Sequence, residues 1–249
     1  MCTLVIARSP GNDWPLLVAA NRDEMIDRPW LPPGRHWPDR ADIVAGQDTL
    51  AGGSWLGVND TGVVAAILNR TGSLGPAADK RSRGELVLEA LDHADARDAV
   101  VALAGLDGSA YRSFNLVVAD NRDAYWLRGT GEAKVTAKAV PEGVHMFTSR
   151  DMDDMASPRI RNFLERFRAA PPPDAAAGDW SAWQALLANR MHAVADGPAE
   201  AMCVVTDRGY GTVSSSLIAL PSAERFGEKP VWLFAAGRPG EATFEPVPL

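Results

Sequence analysis

A cysteine stands at position 2, directly after the initiator methionine, and the tetrad Asn21-Arg22-Asp23-Glu24 follows the apolar run at residues 15–20. Aminopeptidase removes a methionine that precedes a small side chain. Cys2 would then carry both a thiol, with an ordinary pKa of about 8.5, and an α-amine of about 7.7–8.0. The amine can take the proton of its own thiol, the self-contained base of an N-terminal nucleophile. Such a site also needs donors for a developing oxyanion and charges that orient the amine. Asn21, Arg22, Asp23 and Asn69 are of the right types and stand at the ends of apolar runs. The same residues have a plainer reading: Cys2 as a small buried residue of the first strand, the tetrad as a structural ion-pair cluster.

The positioning elements are legible as alternations and stripes. Residues 2–7 and 15–20 are nearly continuous in apolar residues, as strands buried on both faces are. Paired through the turn at 9–13, they bring Cys2 and the tetrad to one end of a hairpin. Period-two alternation sets Arg22 opposite Asn21 and Asp23, so all three share a pocket only if the strand breaks there. Residues 26–42 hold four prolines around Trp30 and Trp37, which predicts a long loop. A hairpin follows at 55–68 around Asn59-Asp60-Thr61-Gly62, its second strand ending at Asn69-Arg70. Gly52-Gly53 lacks phosphate-loop spacing. Ser82 and Glu85 fit a capping box ahead of a helix, with a second helix at 94–103. Strands are expected at 114–119, 124–127, 134–139 and 144–148. A helical stripe of Ile160, Phe163, Leu164 and Phe167 has Arg and Glu on its other face. A Pro/Ala/Gly linker at 171–178 and a helix marked by Trp180, Trp183, Leu187 and Met191 come next. Strands at 201–206, 212–220 and 231–235 close the chain. The pattern predicts an α+β fold in a single domain, 1–249.

Composition limits the partners. With 249 residues and 46% hydrophobic content the chain can bury a sizeable core, and a net charge of −7 argues against nucleic acid or an anionic membrane surface. Two cysteines, Cys2 and Cys203, make no disulfide framework, which points to a reducing, cytoplasmic setting. No segment is apolar enough for a membrane span. Cys203 lies in an apolar run and is expected in the core. The four histidines have no metal-ligand spacing, so no metal is expected. A small molecule remains as the partner; oligomeric state is left open.

Met1-Cys2, Ala19-Ala20-Asn21-Arg22-Asp23-Glu24, Arg28-Pro29, Gly46-Gln47-Asp48, Gly52 through Val58, Asn69-Arg70, Ser82-Arg83-Gly84 and Tyr210-Gly211-Thr212 resemble the NRDE-motif family, the relatives of transport and Golgi organisation protein 2. The resemblance spans nearly the whole chain. It implies a four-layer αββα sandwich of the N-terminal nucleophile hydrolase type, with Cys2 as nucleophile. Arg22 and Asp23 would line the pocket and Asn69 would be the oxyanion donor. Asn21, Glu24, Trp55 and Arg70 are the candidate substrate contacts. Two positions depart from the pattern: Ser149-Arg150 stands where many relatives have Ser-Asn, and Val213 where they have arginine. The implied activity is cleavage of a carbon–nitrogen amide bond, with no cofactor required. The alternative is a non-catalytic haem or lipid/acyl-CoA binding and trafficking protein on the same fold, with haem as its ligand.

Overall fold

The computed structural model describes residues 2–249, so the expected removal of Met1 lies outside the described residues. From the N-terminus, β1 (Thr3–Arg8) and β2 (Leu16–Met25) form a hairpin closed by the Ser9 N–H on the Pro15 carbonyl at 2.9 Å. β3 (Trp30–Gly34), β4 (Ile43–Asp48), β5 (Leu56–Asn59) and β6 (Val64–Asn69) follow, then helices α1 (Glu85–Leu91) and α2 (Ala96–Ala104). β7 (Phe114–Ala119), β8 (Ala124–Gly129), β9 (Thr136–Ala139) and β10 (Gly143–Phe147) come next. After α3 (Pro158–Ala169) and α4 (Ser181–Leu187), the chain closes with β11 (Tyr210–Leu220), β12 (Val231–Ala235) and β13 (Phe244–Pro246).

The elements group into two compact units. One comprises the chain up to Arg28 together with Glu142–Pro248, and holds a six-stranded antiparallel sheet of order β10-β1-β2-β11-β12-β13. Its helices lie on one face: Val5, Ala7, Leu17, Ala19 and Leu217 pack with Ile160, Phe163, Phe167, Trp180 and Trp183. The other, Pro29–Pro141, is an antiparallel meander, β3 through β9 in sequence order, with α1 and α2 packed by Leu86, Leu91, Val100 and Leu103 onto Ile43, Ala65, Leu116 and Leu127.

Several expectations are corrected. The tetrad lies inside β2, which continues to Met25, rather than beyond its end. The proline-rich stretch contributes a strand: β3 carries Pro32 and Pro33 at the sheet edge, where a missing N–H costs no ladder bond, and its register slips between Leu31 and Gly34. No capping box forms at α1, because the Glu85 carboxylate is taken by the Tyr111 hydroxyl (2.5 Å) and Arg81 (2.6 Å). The run 201–206, buried as far as Val204, is no strand. The Thr212 hydroxyl, not a ladder partner, accepts the Val204 N–H, leaving one bridge at Val205–Gly211. Residues 171–178 are an ordered turn rather than a linker, with Ala175 in the core and Asp174 bridged to Asp179. Helix α4 ends before Met191, which is 64% exposed.

Candidate active site

The register of the first unit builds a polar row across its central strands. Thr3 pairs with Asn21, and one further step sets Cys2 opposite Arg22. Arg22 pairs in turn with Ser214 of β11. Cys2, Arg22 and Ser214 thus fall in one row across the sheet. Arg22, Ser149 and Ser214 are buried and Cys2 is half-buried.

The neighbouring positions point the other way, into the helices. Asp23 Oδ2 accepts from Arg159 Nη1 at 2.8 Å and its Oδ1 from the Thr212 hydroxyl at 2.6 Å, both fully buried. Arg159 Nη1 also donates to Thr3 Oγ1 (2.6 Å), and Nη2 to the Ala199 carbonyl (2.6 Å). Asn21 spends both amide hydrogens on the Leu187 and Met202 carbonyls (3.0 and 2.9 Å), while its oxygen accepts from Ser215 at 2.6 Å. Its amide anchors β2 to the segment behind it, a positioning role rather than the substrate contact expected. Alternation along an unbroken strand therefore divides the tetrad: Arg22 stands beside Cys2, while Asn21 and Asp23 support the sheet from behind. Glu24, half-exposed, accepts from the Met25 N–H (2.9 Å) and lies 3.8 Å from Arg28.

The thiol of Cys2 donates to the Asp23 carbonyl at 3.7 Å. Burial pushes it above the ordinary thiol range and the Asp23 carboxylate pushes the same way; the Asp23 backbone and the Arg22 guanidinium pull it down. That carbonyl also accepts from the Tyr210 hydroxyl at 3.2 Å, and burial together with the Asp23 charge holds Tyr210 in its neutral, donating form. Cys203 is core, as expected, and desolvation pushes its thiol up as well. Arg159 and Ser214 escaped the sequence reading, and Tyr210 and Thr212 entered it only as part of a motif, with no role assigned. Arg159 had a signal: it stands four residues before Phe163 on the apolar stripe, where an unpaired cation is not tolerated.

The remaining candidates belong to the second unit. Asn69 ends β6 opposite Phe114, and its amide makes no hydrogen bond within the described residues. Arg70 donates to Asn115 Oδ1 at 2.6 Å, which also accepts from Trp126 Nε1 at 3.1 Å. Trp55 stands edge-on to Trp30, centroids 5.9 Å apart, over Gly46, where a Cβ would fall 2.3 Å from its ring. Gly53 and Gly84 meet backbone to backbone: the Ser54 N–H donates to the Gly84 carbonyl (3.0 Å), and a Cβ on Gly53 would lie 2.5 Å from Gly84. Those glycines serve close packing, not phosphate binding. Among the described residues no group of three or more His, Cys, Asp or Glu could hold a metal ion, and no helix is long and apolar enough to cross a membrane.

Comparison with known proteins adds the family. The human Transport and Golgi organization protein 2 homolog is 35% identical over 48% of this chain and 45% of its own length; the mouse homolog is 34% identical over the same shares. The chain thus spans about half the length of the curated relatives it matches. Among solved structures, the Caenorhabditis elegans N-acylethanolamine-hydrolyzing acid amidase ortholog superposes with a TM-score of 0.56 at 15% identity, covering 92% of this chain and 98% of that one. The mutant C2A conjugated bile acid hydrolase from Clostridium perfringens gives 0.54 at 10% identity, covering 100% and 97%. These likenesses show the fold class expected from the sequence, α+β of the N-terminal nucleophile hydrolase type. The profile of the Transport and Golgi organisation 2 family matches residues 1–226, and the chain belongs to that family.

Proposed function

We propose that this protein hydrolyses a carbon–nitrogen amide bond with Cys2 as nucleophile. The observation that carries the reading is the pairing of Cys2 with Arg22 on one face of the sheet, backed on the other by the neutralised Asp23–Arg159 pair. A half-buried thiol pushed up by desolvation needs a base at hand, and the α-amine of an N-terminal Cys2 is such a base. The amine takes the thiol proton and sulfur attacks the carbonyl. The leaving amine departs with that proton, and water then cleaves the thioester to free acid and thiol. Arg22 stabilises negative charge beside the sulfur. Support comes also from the structural neighbours, an acid amidase and a bile acid hydrolase whose structure was solved as the C2A mutant.

The test is intact mass followed by turnover. We expect loss of the Met1 mass and hydrolysis of N-acyl amides. Cys2→Ala should lower turnover at least about 10³-fold, as loss of a nucleophile does, with an unchanged melting temperature. A retained methionine, with no turnover and no acyl adduct, would favour the carrier reading and its haem or acyl-CoA ligand. Haem would need an axial ligand, and Cys2 offers one only as thiolate, which burial opposes.

A further inference from the structure

Arg159 is wholly buried at the second residue of α3. A cation in the first helical turn faces the positive end of the helix dipole, and burial strips a guanidinium of its hydration. Its partners offset both costs, and their placement is specific. Thr3 follows Cys2 on β1, and Asp23 follows Arg22 on β2. One Nη1 nitrogen therefore grips the two strands immediately behind the Cys2–Arg22 pair, at 2.6 Å from Thr3 Oγ1 and 2.8 Å from Asp23 Oδ2. The backbone carbonyl of that same Asp23 receives the thiol hydrogen of Cys2.

We propose that Arg159 is a positioning residue for Cys2: from the helix side of the sheet it cancels the Asp23 charge and pins Thr3, and so sets the orientation and reactivity of the thiol on the opposite face. The inference rests on Cys2 being the reactive group, but it needs no substrate. The Asp23 carboxylate raises the hold of the Cys2 thiol on its proton, so removing Arg159 leaves that carboxylate uncompensated beside the sulfur.

The experiment is the pH profile of iodoacetamide labelling at Cys2, read by peptide mass in the full-length protein. Labelling of Cys203, buried in the fold, reports any unfolding. Arg159→Met should raise the midpoint by about one pH unit, a tenfold slower reaction below it. Asp23→Asn should lower it, and the double variant should return close to the parent. Arg159→Lys, which keeps the charge, should restore the parent midpoint. A folded Arg159→Met with the parent midpoint overturns the proposal, as do single variants that shift in the same direction. If Arg159→Met does not fold, the double variant must still titrate above Asp23→Asn, and coincident midpoints overturn it. Labelling is read without turnover, so an absent amidase activity leaves this inference standing, and a failed inference leaves the amidase reading to its own test.

Discussion

Asp23 acts through two separate groups. Its carboxylate closes a buried chain from the Val204 N–H through the Thr212 hydroxyl to Arg159, and its main-chain carbonyl collects the Cys2 thiol and the Tyr210 hydroxyl. Burial raises both Cys2 and Cys203, and this has a sign for stability. In the pH range between the ordinary and the raised thiol values the native state holds protons that the unfolded chain has released. Their contribution is complete below the ordinary value and is lost as pH rises through the folded one. Melting temperature should therefore fall from pH 8 towards pH 10, and Cys2→Ser should flatten that fall. An identical alkaline slope in parent and variant would show that Cys2 titrates alike in both states.

At the scale of elements, two irregularities matter more than the regular ladders. Opposite Asp23 and Arg22, β11 carries a register shift between Thr212 and Ser214, with Val213 as the extra residue. The bulge turns Thr212 to the helix side, against Asp23, and Ser214 to the other side, against Arg22. Positions two apart on a regular strand would share one face. Val213, one of the two departures from the resemblance, is thus the bulged residue itself. The second irregularity is the β5–β6 loop. Asn59, almost fully buried, donates to the Leu91 and His93 carbonyls at 2.8 Å each and accepts from Thr61 and Val63, tying the hairpin to the end of α1. Asn59→Ala strands two carbonyls and two N–H groups, and we expect a loss of about 2–3 kcal/mol in urea denaturation with the m-value unchanged. A loss below about 0.5 kcal/mol would mean that water replaces these bonds.

At the scale of the whole molecule, the two sheets differ in how far apart in sequence their strands lie. The meander from β3 to β9 pairs neighbours in order within residues 29–141. In the other sheet, β2 must wait for β11, with Asn21 meeting Ser215 across nearly the entire chain. Loop closure over that separation costs entropy before any contact rewards it. Pulse-labelled hydrogen exchange during refolding should protect the β4–β8 amides before those of β2 and β11. Simultaneous protection would indicate that one cooperative nucleus contains both sheets.

The amino-acid order alone determined the local elements and the chemistry at their ends. Continuous apolar runs specify β1 and β2, Asn59-Asp60-Thr61-Gly62 specifies a hairpin, and the stripe through Ile160, Phe163, Leu164 and Phe167 specifies α3. These depend on side-chain period and turn chemistry, which act over a few residues. Period two even announced that Arg22 would part from Asn21 and Asp23 on an unbroken strand. Tertiary structure decided what each polar residue spends itself on, because partners such as Arg159 for Asp23 or Met202 for Asn21 lie more than a hundred residues away. It also decided that the buried run at 201–204 is not a strand and that a proline pair can sit in one, since ladder bonds depend on which neighbour the fold supplies. Cys2 was legible in the sequence only as a candidate nucleophile beside a plainer reading as a buried strand residue; its placement beside Arg22, with an ion-paired carboxylate behind, came from the folded sheet.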